Sequence, residues 1–175
     1  MPYRYPVTAR WFHWITVALL VMLATAGIWG TSFEPKDEAL KNLLADIHES
    51  TGVALFVVVA LRLLRRLANP PAPLPPRLPR WIRFAARTNH ALLYALLLVQ
   101  PVIGFLATNA WGYPLTWARL VPLPSPIGHD ETIAPWLSEA HEAGAIVLAA
   151  LVTVHVGGAA YHGLMRRDGV LRRMI

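Results

Sequence analysis

There is no cysteine anywhere in the 175 residues. Disulfides, thiolate metal sites and cysteine nucleophiles are therefore excluded. Charge is scarce as well: Asp, Glu, Lys and Arg make up 15% of the chain, where a soluble domain carries about 25%. No long hydrophilic stretch offers room for a second domain, and no internal repeat stands out. What is abundant is apolar residues, 55% of the chain with a mean hydropathy of +0.43. They gather into four runs, residues 11–30, 47–64, 90–107 and 143–160. Each is close to the ~20 residues that cross ~30 Å of hydrocarbon at about 1.5 Å per residue. The expected fold is all-α, a four-helix transmembrane bundle forming one membrane-integral unit over residues 1–175. The first run is too long for the apolar region of a signal peptide, lacks a clear small-x-small cleavage site and contains His13.

The net charge of +6 is distributed unevenly. Arg4 and Arg10 precede the first run, and Arg62, Arg65, Arg66, Arg77, Arg80, Arg83 and Arg87 lie between the second and third. Arg166, Arg167, Arg172 and Arg173 follow the fourth. Only Lys36, Lys41 and Arg119 of the 16 basic residues fall on the other side. The positive-inside rule then places both termini and the second connection in the cytoplasm. The excess is a topology signal and a lipid anchor rather than a nucleic-acid footprint, because no basic stripe falls on a soluble element. The second connection, NPPAPLPPRLPRWIRF, is crowded with proline. It is expected to form a stiff extended strap with Trp81 and Phe84 at the interface. EPKDEALKNLLADIHE reads as a short amphipathic lead into the second span. The outer connection, residues 109–135, is long and rich in Pro and Gly, with Trp111, Tyr113, Trp117 and the nearby Trp136 at headgroup depth. Those tryptophans suit either a functional loop or an aromatic belt.

Six of the seven histidines, His13, His48, His90, His141, His155 and His162, lie in or at the ends of the spans; only His129 is in a loop. Ionisable groups in hydrocarbon are costly and point to function. Helix direction sorts them by depth into an outer pair, His48 and His141, and an inner cluster. In HEAGAIVLAALVTVH the histidines at 141 and 155 are fourteen positions apart. That is two heptads, so both face one side about 21 Å apart along the axis. The same offset leads from His13 to Gly27, from His48 to Arg62 and from His90 to Gly104. Each span thus offers a stripe with histidine at one level and a small or cationic residue at the other. Zinc and copper sites gather three or four ligands into one cluster. Two imidazoles from facing helices suit haem iron, whose equatorial positions the porphyrin fills. Arg62 would then meet a haem propionate, or else it snorkels to the inner surface.

These stretches, together with RYPVTARWFHW, IHESTGVALFVVVALRLLRRLANPP, NHALLYALLLVQPVIGF and HEAGAIVLAALVTVHVGGAAYH, resemble the bacterial dihaem cytochrome b-561 family over almost the whole chain. That family is related to the membrane cytochrome b subunits of hydrogenases and formate dehydrogenases. The resemblance implies two b haems in a bacterial inner-membrane protein, with His48 and His141 ligating the outer one and His13 and His155 the inner one. It also implies exchange of electrons with ubiquinone, and well-studied members resemble a superoxide oxidase that takes electrons from superoxide outside. Depth matching alone pairs His13 with His162 instead, and His90 rivals His13. His90 and His162 otherwise stand beside the inner haem or at a quinone site, near Arg77 and Arg80, or serve structure. Two other functions compete: an electron-transfer subunit for a separate dehydrogenase or periplasmic redox protein, and a histidine-lined metal transporter. Superoxide would favour a basic outer face. Lys36, Lys41 and Arg119 are offset there by Glu34, Asp37, Glu38, Asp46, Asp130 and Glu131.

Overall fold

The computed structural model describes residues 4–33, 35–73 and 78–175; Glu34 and Arg77 lie outside the described residues. Four long helices account for most of it: α1 (Val7–Ser32), α2 (Glu38–Ala68), α3 (Arg80–Ala110) and α4 (Ala134–Ala160). All four are long and apolar enough to cross a membrane. Each extends beyond its apolar run. The amphipathic lead before span 2 is continuous with α2, which opens at Asp37, whose carboxylate accepts from the Ala39 N–H at 2.9 Å. Glu38 in its first turn and Arg65 and Arg66 in its last oppose the helix dipole.

Proline sets the helix boundaries on the other side. α1 follows Pro6 and α3 follows Pro79, residues with no N–H to lose and φ near helical values. Helix α3 already begins at Arg80, so the proline-rich connection expected to form a strap ends at Pro79. Trp81 and Phe84 are therefore not in it: they occupy the first turns of α3, each 71% exposed on its outer surface. The long outer connection also has structure of its own. Strands β1 (Thr116–Trp117) and β2 (Val121–Pro122) pair antiparallel through a turn in which Ala118 and Arg119 take positive φ. Short-range apolar periodicity carries no signal for a two-residue strand.

α1 packs along α2 and α3 along α4, and the α2–α3 contact joins the two hairpins. The core at their centre is Leu55, Val59, Leu97 and Leu148, flanked by Leu19, Leu20, Leu23 and Val152 among others. Four of these leucines fall seven residues after a histidine: Leu20 after His13, Leu55 after His48, Leu97 after His90 and Leu148 after His141. A packed apolar layer therefore separates two polar levels, in the heptad rhythm of a left-handed bundle. Large residues such as Trp11, Val21 and Leu64 are more than 60% exposed on the outside. In a lipid-solvated bundle that is the expected surface.

Past α4 the chain widens into a π turn (Tyr161–Arg166), reverses through Arg167 and Gly169 at positive φ, and ends in a 3-10 turn (Leu171–Arg173). The reversal returns the C-terminal residues to the N-terminal ones. Tyr5 N–H donates to the Arg173 carbonyl at 2.9 Å, Arg10 to Ile175 at 2.9 Å and Trp14 to Met174 at 3.3 Å. The Arg173 guanidinium, 6% exposed, donates to the Ala72 carbonyl at 3.0 Å. Both chain ends and the α2–α3 connection thus meet at one end of the bundle.

The core can be tested without reference to function. In water, truncating a buried leucine to alanine costs about 2–5 kcal/mol. Here the separated helices remain in hydrocarbon, so the transfer part cancels and a packing loss of about 1–3 kcal/mol remains. Leu55→Ala should lower the thermal midpoint of the detergent-purified protein by several degrees. Leu64→Ala, on a side chain 62% exposed, should leave it unchanged.

Candidate functional site

The outer polar level is built by one residue from each helix. His48 on α2 and His141 on α4 face each other with ring centroids 6.0 Å apart and planes crossed at 84°. His48 Nδ1 lies 3.0 Å from the Leu23 carbonyl of α1. His141 Nδ1 lies 3.2 Å from the Gln100 carbonyl of α3. A carbonyl oxygen only accepts, so in both rings Nδ1 donates and Nε2 keeps its lone pair. Glycine makes these approaches possible. A Cβ on Gly27 would come within 2.8 Å of His48 Nδ1, and a Cβ on Gly104 within 2.9 Å of His141 Cε1. The two glycines fourteen residues after His13 and His90 are thus notches into which the histidines of the neighbouring helices are pressed.

Around this pair the outer end is pinned. Glu49 accepts from Thr108 Oγ1 at 3.2 Å. The β1–β2 turn lies over α2: Trp117 Nε1 donates to the Ser50 carbonyl at 3.1 Å, Ala118 N–H to Ser50 Oγ at 2.9 Å, and Arg119 Nε to Asp46 at 2.6 Å. Residues two before and two after His48 are therefore both held by the hairpin. His129 is outside this level, with Nδ1 donating to the Ala110 carbonyl at 3.1 Å.

The inner level holds three histidines. His13 on α1 and His155 on α4 have centroids 6.1 Å apart with planes at 67°. His90 on α3 is closer to His155, at 5.2 Å. Arg62 Nη2 donates to His13 Nδ1 at 3.2 Å, and a guanidinium has no lone pair to offer, so the His13 proton sits on Nε2. Arg62 and Arg66 both lie over the Tyr94 ring, at 5.4 and 5.7 Å. Among the described residues neither has a carboxylate within ion-pair distance. Beside them a cavity of about 430 Å³ is lined by His90, Arg66, Arg87 and Tyr94 with leucine and alanine walls. His162 stands apart in the π turn, its Nδ1 2.7 Å from Asp168. Arg80 is the first residue of α3. Among the described residues no three His, Cys, Asp or Glu side chains converge as a metal site.

Two residues at these levels escape a reading based on histidine. Gln100 and Asn89 are buried amides of α3, 6% and 9% exposed. Gln100 Nε2 donates to the His141 carbonyl at 2.7 Å, and Asn89 Nδ2 to the Leu151 carbonyl at 3.1 Å. A polar amide inside an apolar run, or at its edge in the case of Asn89, is their only signature in the sequence.

Asp168 lies beyond the last span. Partial burial works against its ionised form. The hydrogen bond from His162, the Val170 N–H and the nearby Arg166 outweigh that and hold its pKa below the usual carboxylate value. A carboxyl with a depressed folded-state pKa stabilises above its ordinary range and stops doing so as pH falls through the lowered value. The midpoint difference between wild type and Asp168→Ala should therefore be constant near neutrality. It should begin to shrink as pH falls below about 4 and vanish once pH has passed the lowered folded-state value, as read by thermal unfolding across a pH series.

Comparison with known proteins agrees with this architecture. The family model described as prokaryotic cytochrome b561 matches residues 4–175. "Cytochrome b561 homolog 2" of Escherichia coli (strain K12) is 28% identical over 175 residues, covering 99% of this chain and 92% of that protein. "Cytochrome b561 homolog 1" of the same organism is 27% identical over 98% of this chain and 97% of its own length. A Yersinia pestis protein named "Probable superoxide oxidase CybB" is 26% identical over 93% of this chain and 90% of that protein. With four apolar helices and a family match along nearly its full length, the chain belongs to the prokaryotic cytochrome b561 family, multi-pass bacterial membrane proteins that bind b-type haem and transfer electrons.

Proposed function

We propose that the chain is a single membrane-integral unit that holds two b haems and carries electrons across the bacterial inner membrane. The donor acts at the outer face, superoxide being the candidate, and ubiquinone exchanges at the inner face. The observation that carries this reading is the pair of imidazole pairs. Two imidazoles that held one iron between them would have ring centroids about 6 Å apart, from two metal–nitrogen bonds of about 2 Å and about 1 Å from each nitrogen to its ring centre. His48 and His141 are at 6.0 Å and His13 and His155 at 6.1 Å. His90 and His155, at 5.2 Å, are too close, which favours His13 over His90 as the inner ligand.

The outer pair has the donor chemistry as well as the spacing: both Nδ1 atoms donate to carbonyls and both Nε2 lone pairs are available. At the inner pair Arg62 occupies His13 Nδ1. Arg62 is assigned to the inner haem's propionate, and its transfer there would release His13 to carry its proton on Nδ1. The bound haems supply one-electron redox chemistry. The protein supplies neutral imidazoles, an apolar layer between the levels and the charge of the inner end. Both termini lie on the basic, cytoplasmic side by the positive-inside rule. His90, lining the cavity beside His155, and His162, held by Asp168, are the candidate proton-handling groups at a quinone.

The haem count is the primary test. The purified protein should carry two b haems per chain by pyridine haemochrome assay. His141→Ala should keep one, and Gly27→Ala or Gly104→Ala should weaken that same outer haem by pushing its ligand aside. Loss of neither haem in His141→Ala would sink the ligand assignment.

Superoxide is tested separately. Arg119, one of three outer cations, is already paired with Asp46, so electrostatic steering of an anion would fall to Lys36 and Lys41. Quinone reduction by a superoxide-generating system should proceed and weaken as salt rises. No turnover at any ionic strength would leave a periplasmic redox protein or a separate dehydrogenase as the partner.

A further inference from the structure

α3 contributes no ligand on the proposed reading, yet it touches the ligand helix α4 at both polar levels through buried amides. At the outer level one residue grips one histidine at two points. The Gln100 carbonyl accepts from His141 Nδ1 at 3.2 Å, and the Gln100 side-chain Nε2 donates to the His141 carbonyl at 2.7 Å. The first bond orients the ring; the second fixes the backbone from which the ring hangs. The amide has a place made for it. A Cβ on Gly144 would overlap the Gln100 Oε1, with the amide carbon at 2.7 Å and the nitrogen at 2.9 Å. Three residues after His141, then, α4 gives up a side chain so that the amide can lie against its backbone.

The inner level repeats the device one step removed. Asn89 donates to the carbonyl of Leu151 at 3.1 Å, the residue one helical turn before His155. Asn89 and Gln100 are eleven residues apart on α3, and their acceptors, Leu151 and His141, are ten apart on antiparallel α4. At about 1.5 Å per residue these spacings are about 16 and 15 Å, so both bonds form in one register only. A slip of one residue would break both in a medium where a freed amide has no water to turn to.

We infer that α3 is the alignment rail of the ligand helix, and that Gln100 is the positioning residue that holds the His141 ring crosswise to His48. The inference rests on the two-haem reading. It adds that the 84° crossing of the outer rings is set by Gln100, whose carbonyl orients the His141 ring and whose side chain fixes the backbone that carries it, rather than by the iron. Crossed axial imidazoles leave the two iron dπ orbitals nearly degenerate, which gives ferric low-spin haem a strongly anisotropic electron paramagnetic resonance signal. Rings turned towards parallel give a rhombic one.

The test is Gln100→Leu in the full-length haem-loaded protein, with the inner haem of the same sample as internal control. The outer signal should move towards rhombic and the outer midpoint potential should shift in a redox titration, with the inner signal and potential unchanged. Gly144→Ala, which expels the amide while leaving Gln100 in place, should have the same effect. Asn89→Leu should disturb the inner haem and spare the outer. Should Gln100→Leu not assemble, Gln100→Met, which keeps the length without the donor, and Gly144→Ala carry the measurement. Unchanged outer spectra and potential in these variants, or equal disturbance of both haems, would overturn the assignment. A wild type without two haems would instead fell the functional reading, and this one with it.

Discussion

The structure depends on one small constraint, that an imidazole N–H in hydrocarbon must find an acceptor without borrowing a charge. An unpaired polar group there costs several kcal/mol, and water is not at hand. Helix carbonyls are the acceptors available. Each already accepts one bond within its helix, but an oxygen has two lone pairs, and His48 and His141 use the second ones of Leu23 and Gln100. To reach them an imidazole must lie almost on a neighbouring backbone. That is why Gly27 and Gly104 stand where they do, each within 3 Å of the ring if given a Cβ. The glycines, the amide of Gln100 and the gap at Gly144 all follow from bringing a ring to a backbone.

The heptad converts that local constraint into a trans-bilayer plan. Histidine, leucine and then glycine, arginine or histidine recur at intervals of seven on all four helices. The leucine layer, with Leu55 and Leu97 among the buried core, is the apolar spacer between two polar levels. A 3.5-residue repeat keeps all three positions on one face only if the helices supercoil, so the interval that spaces the polar levels also specifies how the helices cross.

Much of this was legible from residue types. Run lengths identify four spans, and the fourteen-residue offset singles out Gly27 and Gly104 before any contact with a ring is known. Where each helix begins was less legible, because α2 and α3 continue well past their apolar runs into charged turns satisfied by Asp37 and by proline geometry. Trp81 and Phe84 belong to α3 and not to the strap for that reason. The β1–β2 hairpin left no trace in periodicity, since its two strands of two residues are held by the Trp117 and Arg119 side chains and the Ala118 N–H, which bond to Ser50 and Asp46, distant in sequence. Gln100 was visible only as an amide inside an apolar run and Asn89 as one at its edge, and a single sequence does not say which carbonyl each one meets. The hydrogen bond from Arg62 to His13 is equally invisible to spacing, as it joins residues 49 positions apart.

The two levels are alike in spacing and differ in charge. Around His48 stand Asp46 and Glu49, one paired with Arg119 and one hydrogen-bonded to Thr108. Around His13 stand Arg62 and Arg66, stacked on Tyr94 with no carboxylate partner among the described residues. In a low-dielectric interior such fixed charges act over many ångströms. With iron held at both pairs, carbonyl bonds to Nδ1 would make the outer imidazoles more basic and favour oxidised iron, while guanidiniums beside the inner pair would favour reduced iron. On the proposed reading, the protein's own field thus lowers the energy of an electron as it passes inwards. A haem propionate paired with Arg62 would temper that bias, while Arg66, over the same Tyr94 ring at 5.7 Å, would still contribute a cation. On that reading, the arginines at the inner end of the spans would also set the direction in which electrons run downhill.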